Sequence, residues 1–517
     1  MAGGLLNLVS HGASSIFLFG NPQKSLFYKT YKSITNFGMQ RFRLECDKKQ
    51  NLNMTTETKY SFKIERHADL LGDTHLVVNI PDIWCFEKND FSTYKTTRYS
   101  FNWIHELGTS MINEISVESG GVILAKYTGE YLSLIEHRDN ATKLDLWKKM
   151  IGHVPDIYDS KYTLEKKYPT IRGRKLYIPL KCWFTLGSEQ ALPLIALQYS
   201  PVYIHITIKP VVELYRIQTK VYQTNTNIFN IDIMRANWKK PDFSDDYQKL
   251  FYFLQKDHGN INKEMEWNLD IHIISTYYFL DEKERKEIAK RDHKYLVKDM
   301  FQHNFKYLHG PSVLKLDTRG LVSSFQFRCR RSDVDKRNEW SNFSNYEYFH
   351  EEYPPIVDNT QNLNYGENDS GTGDESYYRH EEIVQDFKLV MDGNDRENTL
   401  DSGILQYIEP YMRSNGCGKK GVYYYNFTTN TNLSEYQPHG AMNMDKFEDI
   451  HFYVNTIEPP INEDSQVTVV CDNEGEVIGV DQKTQEMFEY TYDFDVYEER
   501  YNIIIIKNGI IGTFFAR

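Results

Sequence analysis

Short stretches of alternating apolar and polar residues are the feature that most constrains the fold of this chain. In residues 202–208 (VYIHITI), every second residue is Val or Ile, and Tyr, His and Thr lie between them. A period of two residues is typical of an antiparallel strand with one buried face. Stretches with a similar pattern recur along the sequence, at residues 74–80, 270–279, 422–427 and 450–454. The chain is therefore predicted to be a β protein.

Long interruptions separate these strands, which favours a sandwich or jelly roll with large loops over a tight meander. The composition agrees, because 14% of the residues are aromatic and aromatic side chains suit a half-buried pleated surface. Hydrophobic residues make up 40% and charged residues 26% of the chain, which excludes wholesale disorder. The length of 517 residues allows two to four domains.

Two helices are predicted among the strands. Asp281 is followed three residues later by Glu284, which is typical of a helix start, and apolar residues then recur at roughly helical spacing to about Gln302. Residues 130–137 predict a shorter helix whose apolar residues share one face. Isolated helices among many strands do not indicate an alternating β/α enzyme fold.

Charge, cysteine content and hydropathy exclude several classes of protein. The net charge of −12 disfavours a protein that mainly coats nucleic acid. The six cysteines have no C-x-x-C spacing, so we expect free thiols in a reducing compartment. No basic residue precedes the apolar N-terminus, so we expect no secretory signal. The longest apolar run, residues 191–197, is far shorter than the ~20 residues that span a bilayer.

Enzyme-like motifs are weak in this sequence. Residues 416–421 (GCGKKG) satisfy G-x-G-x-x-G, but a strand follows them where a dinucleotide site needs a helix, so we interpret them as a turn. His105 and His350 precede glutamates without the second histidine of a zinc motif. We therefore predict no catalytic, cofactor-binding or metal-binding residue. A glycosidase-like carboxylate pair among 72 acidic residues stays an alternative, although no pair stands out.

A series of short segments runs in a fixed order along nearly the whole chain. They are residues 3–5 (GGL), 12–13 (GA), 18–22 (LFGNP), 27–29 (FYK), 31–37 (YKSITNF), 150–155 (MIGHVP), 176–180 (LYIPL), 183–184 (WF), 191–199 (ALPLIALQY), 278–281 (YFLD), 392–393 (DG), 437–438 (QP), 501–503 (YNI), Gly509 and Gly512. Together they resemble the major capsid proteins of nucleocytoplasmic large DNA viruses. Ser15 and Phe19 depart from the family pattern, which usually has an acidic residue and a threonine near these positions.

The resemblance implies an all-β fold of two consecutive eight-stranded antiparallel jelly rolls, a double jelly roll with long loops and a few short helices. We accordingly predict an N-terminal arm at residues 1–25 and a first jelly roll at 26–212. A linker or insert is predicted at 213–262 and a second jelly roll at 263–517. An acidic exposed loop is predicted within the second jelly roll at 346–382.

The function that the resemblance implies is structural. Such a protein would form pseudo-hexameric homotrimeric capsomers that tile the icosahedral shell of a large DNA virus, without enzymatic activity or a cofactor. Its partners would be itself, neighbouring capsomers, minor capsid proteins and the inner membrane, but no sequence-specific nucleic acid. It would be located in the virion after assembly in the host cytoplasm. The alternative is a β-sandwich glycan-binding protein or glycan-active enzyme.

Two segments stand out by their charge and composition. Residues 346–382 contain ten acidic residues and one basic residue, Arg379, so we expect them on the outer, solvent-facing end of the capsomer. The first 50 residues contain seven Lys or Arg against Glu45 and Asp47, and their first 20 are apolar and rich in glycine. We expect this N-terminal arm to contact minor proteins or an anionic membrane at the inner face, and to become ordered on assembly.

Overall fold

In a computed structural model of the chain, the residues described are 13–29, 31–90, 95–159, 167–223, 238–347, 382–433, 437–462, 465, 468–471, 477–481 and 487–515. Within these ranges the strands form antiparallel sheets and the helices are short. The prediction of an all-β fold is confirmed.

The first part of the chain folds into a β-sandwich. Its strands, in chain order, are β1 (Phe37–Glu45), β2 (Thr58–Lys63), β3 (Leu70–Ile80), β4 (Phe86–Asp90), β5 (Lys95–Trp103), β6 (Ile112–Ser119), β7 (Val122–Tyr127), β8 (Arg174–Pro179), β9 (Leu192–Pro193), β10 (Val202–Ile208), β11 (Tyr215–Gln223) and β12 (His272–Leu280). One sheet has the order β1-β12-β3-β8 and the other β2-β10-β6-β7, with a separate sheet β11-β5-β4. Buried side chains from both main sheets form one continuous core.

The alternation that predicts β10 reflects this packing. Ile204 and Ile206 have no exposed surface. They lie opposite Phe62 of β2 and Ile115 of β6, respectively, which are equally buried. The residues between them point to the other face and are partly exposed. The hydrophobic effect therefore fixes the register of this strand, since a shift by one residue would expose every apolar side chain.

The second part of the chain forms another β-sandwich. Its strands are β13 (His293–Leu308), β14 (Pro311–Leu316), β15 (Leu321–Arg331), β16 (Val384–Met391), β17 (Asn394–Asp395), β18 (Leu400–Asp401), β19 (Val422–Asn426), β20 (Met442–Asn443), β21 (Ile450–Thr456), β22 (Thr468–Cys471), β23 (Val477–Asp481), β24 (Tyr492–Lys507) and β25 (Ile510–Thr513). One sheet has the order β13-β24-β15-β19 and the other β14-β21-β16-β17. Phe327 of β15 stacks on Phe387 of β16 across the core, with ring centroids 4.9 Å apart. Each sandwich thus contains the eight main strands predicted for a jelly roll.

Helices lie between the strands. They are α1 (Ala13–Phe19), α2 (Leu107–Ser110), α3 (Gly129–Asp139), α4 (Leu144–Met150), α5 (Pro155–Tyr158), α6 (Leu250–Phe253), α7 (Glu282–Lys290) and α8 (Glu409–Arg413), the last preceded by a π-helical turn (Ile404–Ile408). Helix α3 confirms the helix predicted at residues 130–137. The Thr128 hydroxyl accepts a hydrogen bond from the Tyr131 N–H at 3.2 Å and so caps its first turn.

The helix predicted from Asp281 to about Gln302 is wrong beyond Lys290. Residues 293–308 form β13, in which Tyr295 and Val297 are buried at every second position. This strand pairs with β24 along most of its length. Pairing with the 16-residue strand β24 satisfies the backbone of β13 and buries one of its faces, which outweighs the local helical spacing.

The predicted division of the chain also needs correction. The predicted linker or insert at 213–262 begins with β11, which is part of a sheet because it pairs with β5 over its whole length, and residues 224–237 lie outside the described residues. Strand β12, assigned by the prediction to the second jelly roll at 263–517, lies between β1 and β3 of the first sandwich. The chain passes to the second sandwich at α7. An alternating pattern predicts a strand but does not say which sheet the strand joins.

Candidate functional site at the junction of the two sandwiches

The glycine-rich turn at residues 416–421 lies where the two sandwiches meet. The Gly418 N–H donates to the carbonyl oxygen of His137 at 3.1 Å, near the C-terminal end of α3. A Cβ atom on Gly416 would lie 2.4 Å from that oxygen and 2.5 Å from the carbonyl oxygen of Arg138, so only glycine permits this approach. The turn interpretation is confirmed, and the turn docks the second sandwich onto a helix of the first.

Lys419 of the same turn forms a buried ion pair across the junction. Its Nζ lies 2.7 Å from Oε2 of Glu106 and 3.2 Å from the Ser133 hydroxyl oxygen. The Ser133 hydroxyl also donates to Glu106 at 2.6 Å. Burial alone would raise the pKa of Glu106, but Lys419 and His137 hold it well below its ordinary value. The Glu106 carboxylate therefore stays ionised inside the protein.

A second buried pair joins Arg138, the penultimate residue of α3, to Glu499 of β24. Arg138 Nη1 lies 2.8 Å from Glu499 Oε1, and the two residues are 1% and 0% exposed. Tyr131 and Gln326 also donate to the same oxygen, at 2.8 and 2.7 Å. Burial opposes ionisation of Glu499, yet the charges of Arg138 and Lys298 and the Tyr131 hydrogen bond lower its pKa below the ordinary value.

A third contact joins Glu130, near the start of α3, to Arg328 of β15. The Glu130 carboxylate accepts from Nε and Nη2 of Arg328, the latter at 3.1 Å. Arg328 also pairs with Asp495 of β24. Despite its burial, Glu130 has a pKa lowered to about 2, because the charges of Arg328 and Arg330 favour the carboxylate.

We call these three pairs, Glu106–Lys419, Glu130–Arg328 and Arg138–Glu499, the ionic junction. In each pair, one residue lies in α3 or directly before α2 in the first sandwich, and the other lies in the second sandwich. Separating such a pair would leave a desolvated charge with a weaker or more distant partner, or with none, and a fully unpaired buried charge costs about 3–5 kcal/mol. The ionic junction therefore fixes the orientation of one sandwich relative to the other. Sequence reasoning missed it, apart from noting Glu106 in a rejected zinc motif.

The N-terminal segment, residues 13–39, has the opposite character, because its apolar side chains are exposed. Phe17 is 90% and Phe27 99% exposed. Other large apolar residues of the segment are at least half exposed: Ile16, Leu18, Phe19, Leu26, Tyr28, Tyr31, Ile34, Phe37 and Met39. Monomeric soluble proteins rarely expose so much contiguous apolar surface, so this segment has the properties of a contact surface for another molecule.

A smaller apolar surface lies on the π-helical turn and α8. We call it the α8 patch, and its residues are Tyr407, Ile408, Tyr411 and Met412, which are 60%, 53%, 84% and 61% exposed. Positions separated by four or five residues lie close together on such a helical turn. The α8 patch is therefore a second candidate contact surface.

The described residues contain few groups arranged for metal binding or for reactions at a thiol. Within the described ranges, no group of three or more His, Cys, Asp or Glu side chains is placed to hold a metal ion. All six cysteines are free thiols, and burial raises the pKa of Cys85 to about 11 and of Cys182 to about 12. No described helix has the length and hydrophobicity to cross a membrane.

The acidic segment 346–382 lies outside the described residues except at its two ends.

The sequence matches two family models that together cover most of the chain. Residues 25–251 match the model described as the major capsid protein N-terminus. Residues 284–512 match that of the large eukaryotic DNA virus major capsid protein.

Curated relatives are capsid proteins of large viruses. The major capsid protein of Paramecium bursaria Chlorella virus 1 is 22% identical over 527 residues that cover 100% of both chains. Capsid protein 1 of Acanthamoeba polyphaga mimivirus is 29% identical over 58% of this chain and 44% of its own length. The chain thus spans less than half of that relative. These matches do not support the glycan-binding or glycan-active alternative.

Solved structures show the same fold. The quasi-atomic model of the PBCV-1 virus capsid has a TM-score of 0.61 at 16% identity and covers 95% of this chain and 100% of its own. The Faustovirus major capsid protein has a TM-score of 0.59 at 12% identity, with 98% and 99% covered. The predicted double jelly roll is confirmed. The chain belongs to the major capsid proteins of large eukaryotic DNA viruses and is a structural protein of the viral capsid.

Proposed function

We propose that three copies of this chain form a homotrimer whose six jelly rolls give a pseudo-hexagonal capsomer able to tile a flat icosahedral facet. The observation that carries this proposal is the ionic junction, because it fixes two eight-stranded sandwiches in one orientation. Repeated three times around an axis, such a rigid pair supplies six similar units. Two sandwiches that changed their relative orientation from copy to copy could not form a regular lattice.

The α8 patch supplies a surface suited to contact between copies. Burying its aromatic and apolar side chains against a neighbour would remove them from water, at about 25 cal/mol per Å² of apolar surface. Interfaces of this kind are enriched in Tyr and Met. We place this patch at the contact within the homotrimer.

Light scattering coupled to size exclusion tests the homotrimer. We expect a species of three times 61.1 kDa across concentrations. Tyr411→Glu should shift mass toward the monomer, because it puts a charge into the proposed contact, whereas Tyr411→Phe should leave the trimer intact. A wild-type chain that stays monomeric at every concentration contradicts the proposal.

The N-terminal segment is proposed to act at the inner face of the shell, in contact with minor capsid proteins or an inner membrane. Its exposed apolar side chains and the basic residues Lys24, Lys29 and Lys32 support a contact that forms only on assembly. Limited proteolysis should cleave the segment in free trimers and spare it in assembled particles. Equal protection in both states would show that it packs under its own jelly roll instead.

The acidic segment 346–382 is proposed to lie at the outer end of the capsomer. Its ten acidic residues repel one another and resist burial. Deleting residues 358–376 should leave trimer formation unchanged by light scattering. Loss of soluble trimer would assign the segment a structural role within the capsomer.

We further propose that the chain assembles into virions in the host cytoplasm and acts without catalysis or sequence-specific binding of nucleic acid. Support comes from the junction carboxylates, which are engaged by cations and so not free for acid–base chemistry. Fractionation of infected cells should place the chain first in cytoplasmic assembly sites and then in particles. Accumulation in the nucleus before particles form would contradict this.

A further inference from the structure

A cleft of about 290 Å³ lies beside the ionic junction, between the two jelly rolls. From the first jelly roll it is lined by Lys209, which follows β10, by Glu213 and by residues of α2 and α3. From the second it is lined by residues of β13, β15 and β24 and by Trp340 and Phe343. Arg330 at its wall keeps 15% of its side chain exposed, so solvent reaches the cleft on that side.

Four cations meet in this cleft, two on each of two aromatic rings. Lys209 Nζ and the Arg330 guanidinium lie over the Trp340 ring, 4.8 and 5.4 Å from its centroid. Arg328 and Lys419 lie in the same way over Phe343, at 5.4 and 5.1 Å. The two cations over Phe343, Arg328 and Lys419, both belong to the ionic junction.

The two pairs of cations differ in their carboxylate partners. Arg328 and Lys419 each have a carboxylate within 3 Å. Arg330 reaches only Glu130, at 3.4 Å, and that carboxylate already accepts from Arg328. Lys209 forms no ion pair with any carboxylate in the described part of the chain. At one end of the cleft the cations are thus closely paired, whereas at the other Arg330 and Lys209 have only the longer Glu130 contact and the more distant charge of Glu213.

Hydrogen-bond donors are also left over at this end. Arg328 is 1% exposed, and its Nη1 has no acceptor in the structure. Arg330 uses Nη1 for Glu130 and for the Trp340 carbonyl, whereas its Nε and Nη2 find no acceptor among the described residues. Of these donors only Arg328 Nη1 is buried, because Arg330 is half-buried and its free N–H groups can reach solvent. A buried donor without a partner is rare in native proteins and usually indicates a water or ligand site.

The protonation behaviour of these cations is consistent with a missing negative charge. Burial and the charge of Arg330 lower the pKa of Lys209 to about 8, although Glu130 and Glu213 partly oppose this. Burial and the charge of Arg328 also lower the pKa of Arg330. Arg328 behaves in the opposite way, because Asp495 and Glu130 raise its pKa in spite of burial.

We propose that this cleft is a binding site for a small oxyanion such as inorganic phosphate, held by Lys209, Arg328 and Arg330. Arg presents several N–H donors in fixed geometry, which suits the several oxygens of phosphate better than a monatomic anion. Glu213 also lines the cleft, and its charge limits the affinity. Since Lys209 belongs to one jelly roll and both arginines to the other, the anion bridges them and reinforces the ionic junction.

Equilibrium dialysis of the full chain against radiolabelled inorganic phosphate, at constant ionic strength, tests the site. We expect saturable binding of one phosphate per chain and a thermal midpoint that rises with phosphate but not with chloride. Lys209→Met should weaken binding by at least about tenfold, since it removes a charged donor. Lys175→Met, at an exposed lysine of β8, is the matched control and should bind like the wild type.

The thermal midpoint without phosphate checks that Lys209→Met folds. Because Lys209 is half-buried and forms no ion pair with a described carboxylate, the midpoint should stay unchanged or rise. Absence of saturable phosphate binding, or equal binding by Lys209→Met and the wild type, overturns the proposal. The result does not depend on the homotrimer, since each site lies within one chain.

Discussion

The ionic junction and the N-terminal segment invert the usual distribution of residues in a soluble protein. In the junction, charged side chains such as Arg138 and Glu499 are almost fully buried and paired with each other. In the N-terminal segment, large apolar side chains such as Phe17 and Phe27 are almost fully exposed. The junction is an interface completed within one chain, whereas the segment has the surface of an interface whose partner is another molecule. The comparison separates what folding fixes from what assembly must still add.

Breaking an ion pair of the junction should have the largest effect. Arg138→Ala removes the guanidinium from both Glu499 and Asp139 and leaves Glu499 with Lys298 at 3.8 Å, so we expect a loss of about 3–5 kcal/mol in the free energy of unfolding. Chemical denaturation followed by tryptophan fluorescence measures it. The double variant Arg138→Met with Glu499→Leu should recover part of the loss, because it removes both charges of the pair but also takes these partners from Asp139 and Lys298. A single variant as stable as the wild type would show that the pair does not secure the junction.

Acid should weaken the junction only at low pH. Glu130 has a folded-state pKa of about 2, below its unfolded value, so its contribution is complete above the unfolded pKa. As the pH falls from about 4.5 to about 2, the unfolded state takes up the proton first, and about 3 kcal/mol is lost. Denaturation midpoints measured from pH 6 to pH 2 should show this loss, and Glu130→Gln should reduce it. A loss of the same size between pH 7 and pH 5 would contradict the assignment.

A methyl group at the docking turn should have an intermediate effect. Gly416→Ala places a Cβ atom 2.4 Å from the His137 carbonyl oxygen, so the turn must move away from α3. We expect a loss of about 1–3 kcal/mol, measured by thermal unfolding. Gly187→Ala is the control, because its Cβ meets nothing within 4 Å. Equal stability of both variants would show that the turn does not dock closely.

Changes in the N-terminal segment should have the smallest effect on the free chain. Phe17→Ser and Phe27→Ser alter side chains that pack against little, so stability should change by less than about 0.5 kcal/mol. Phe62→Ser, at a residue with no exposed surface, should cost several times more. The same N-terminal variants should lower the yield of assembled particles. An unchanged particle yield would show that the segment is not required for assembly.

The sequence predicts those elements whose residues carry a local signal. Strand β10 follows from its alternation, α3 from its apolar spacing, and the turn at 416–421 from its glycines and the strand that follows. The landmarks of the capsid family then predict two jelly rolls. These features depend on neighbours within a few residues in the chain or on the order of short segments that is typical of the family.

Other features depend on contacts between distant residues, which a local pattern does not contain. Strand β12 joins the first sandwich because its backbone forms hydrogen bonds with β1 on one side and with β3 on the other. The strand β13 replaces a predicted helix because β24 offers a long pairing partner. The ionic junction joins residues up to 361 positions apart, Arg138 and Glu499. Charged residues on a helix usually indicate a solvated face, so the sequence does not indicate that the charged residues of α3 are buried.

Hydrogen exchange measured by mass spectrometry on free capsomers and on assembled particles tests the central contrast most directly. We expect slow exchange of the α3 and β24 amides in both states, because the ionic junction is complete in one chain. The amides of residues 13–29 should exchange rapidly in free capsomers and slowly in particles. Equal exchange of residues 13–29 in the two states, or α3 protection that arises only on assembly, would contradict the account.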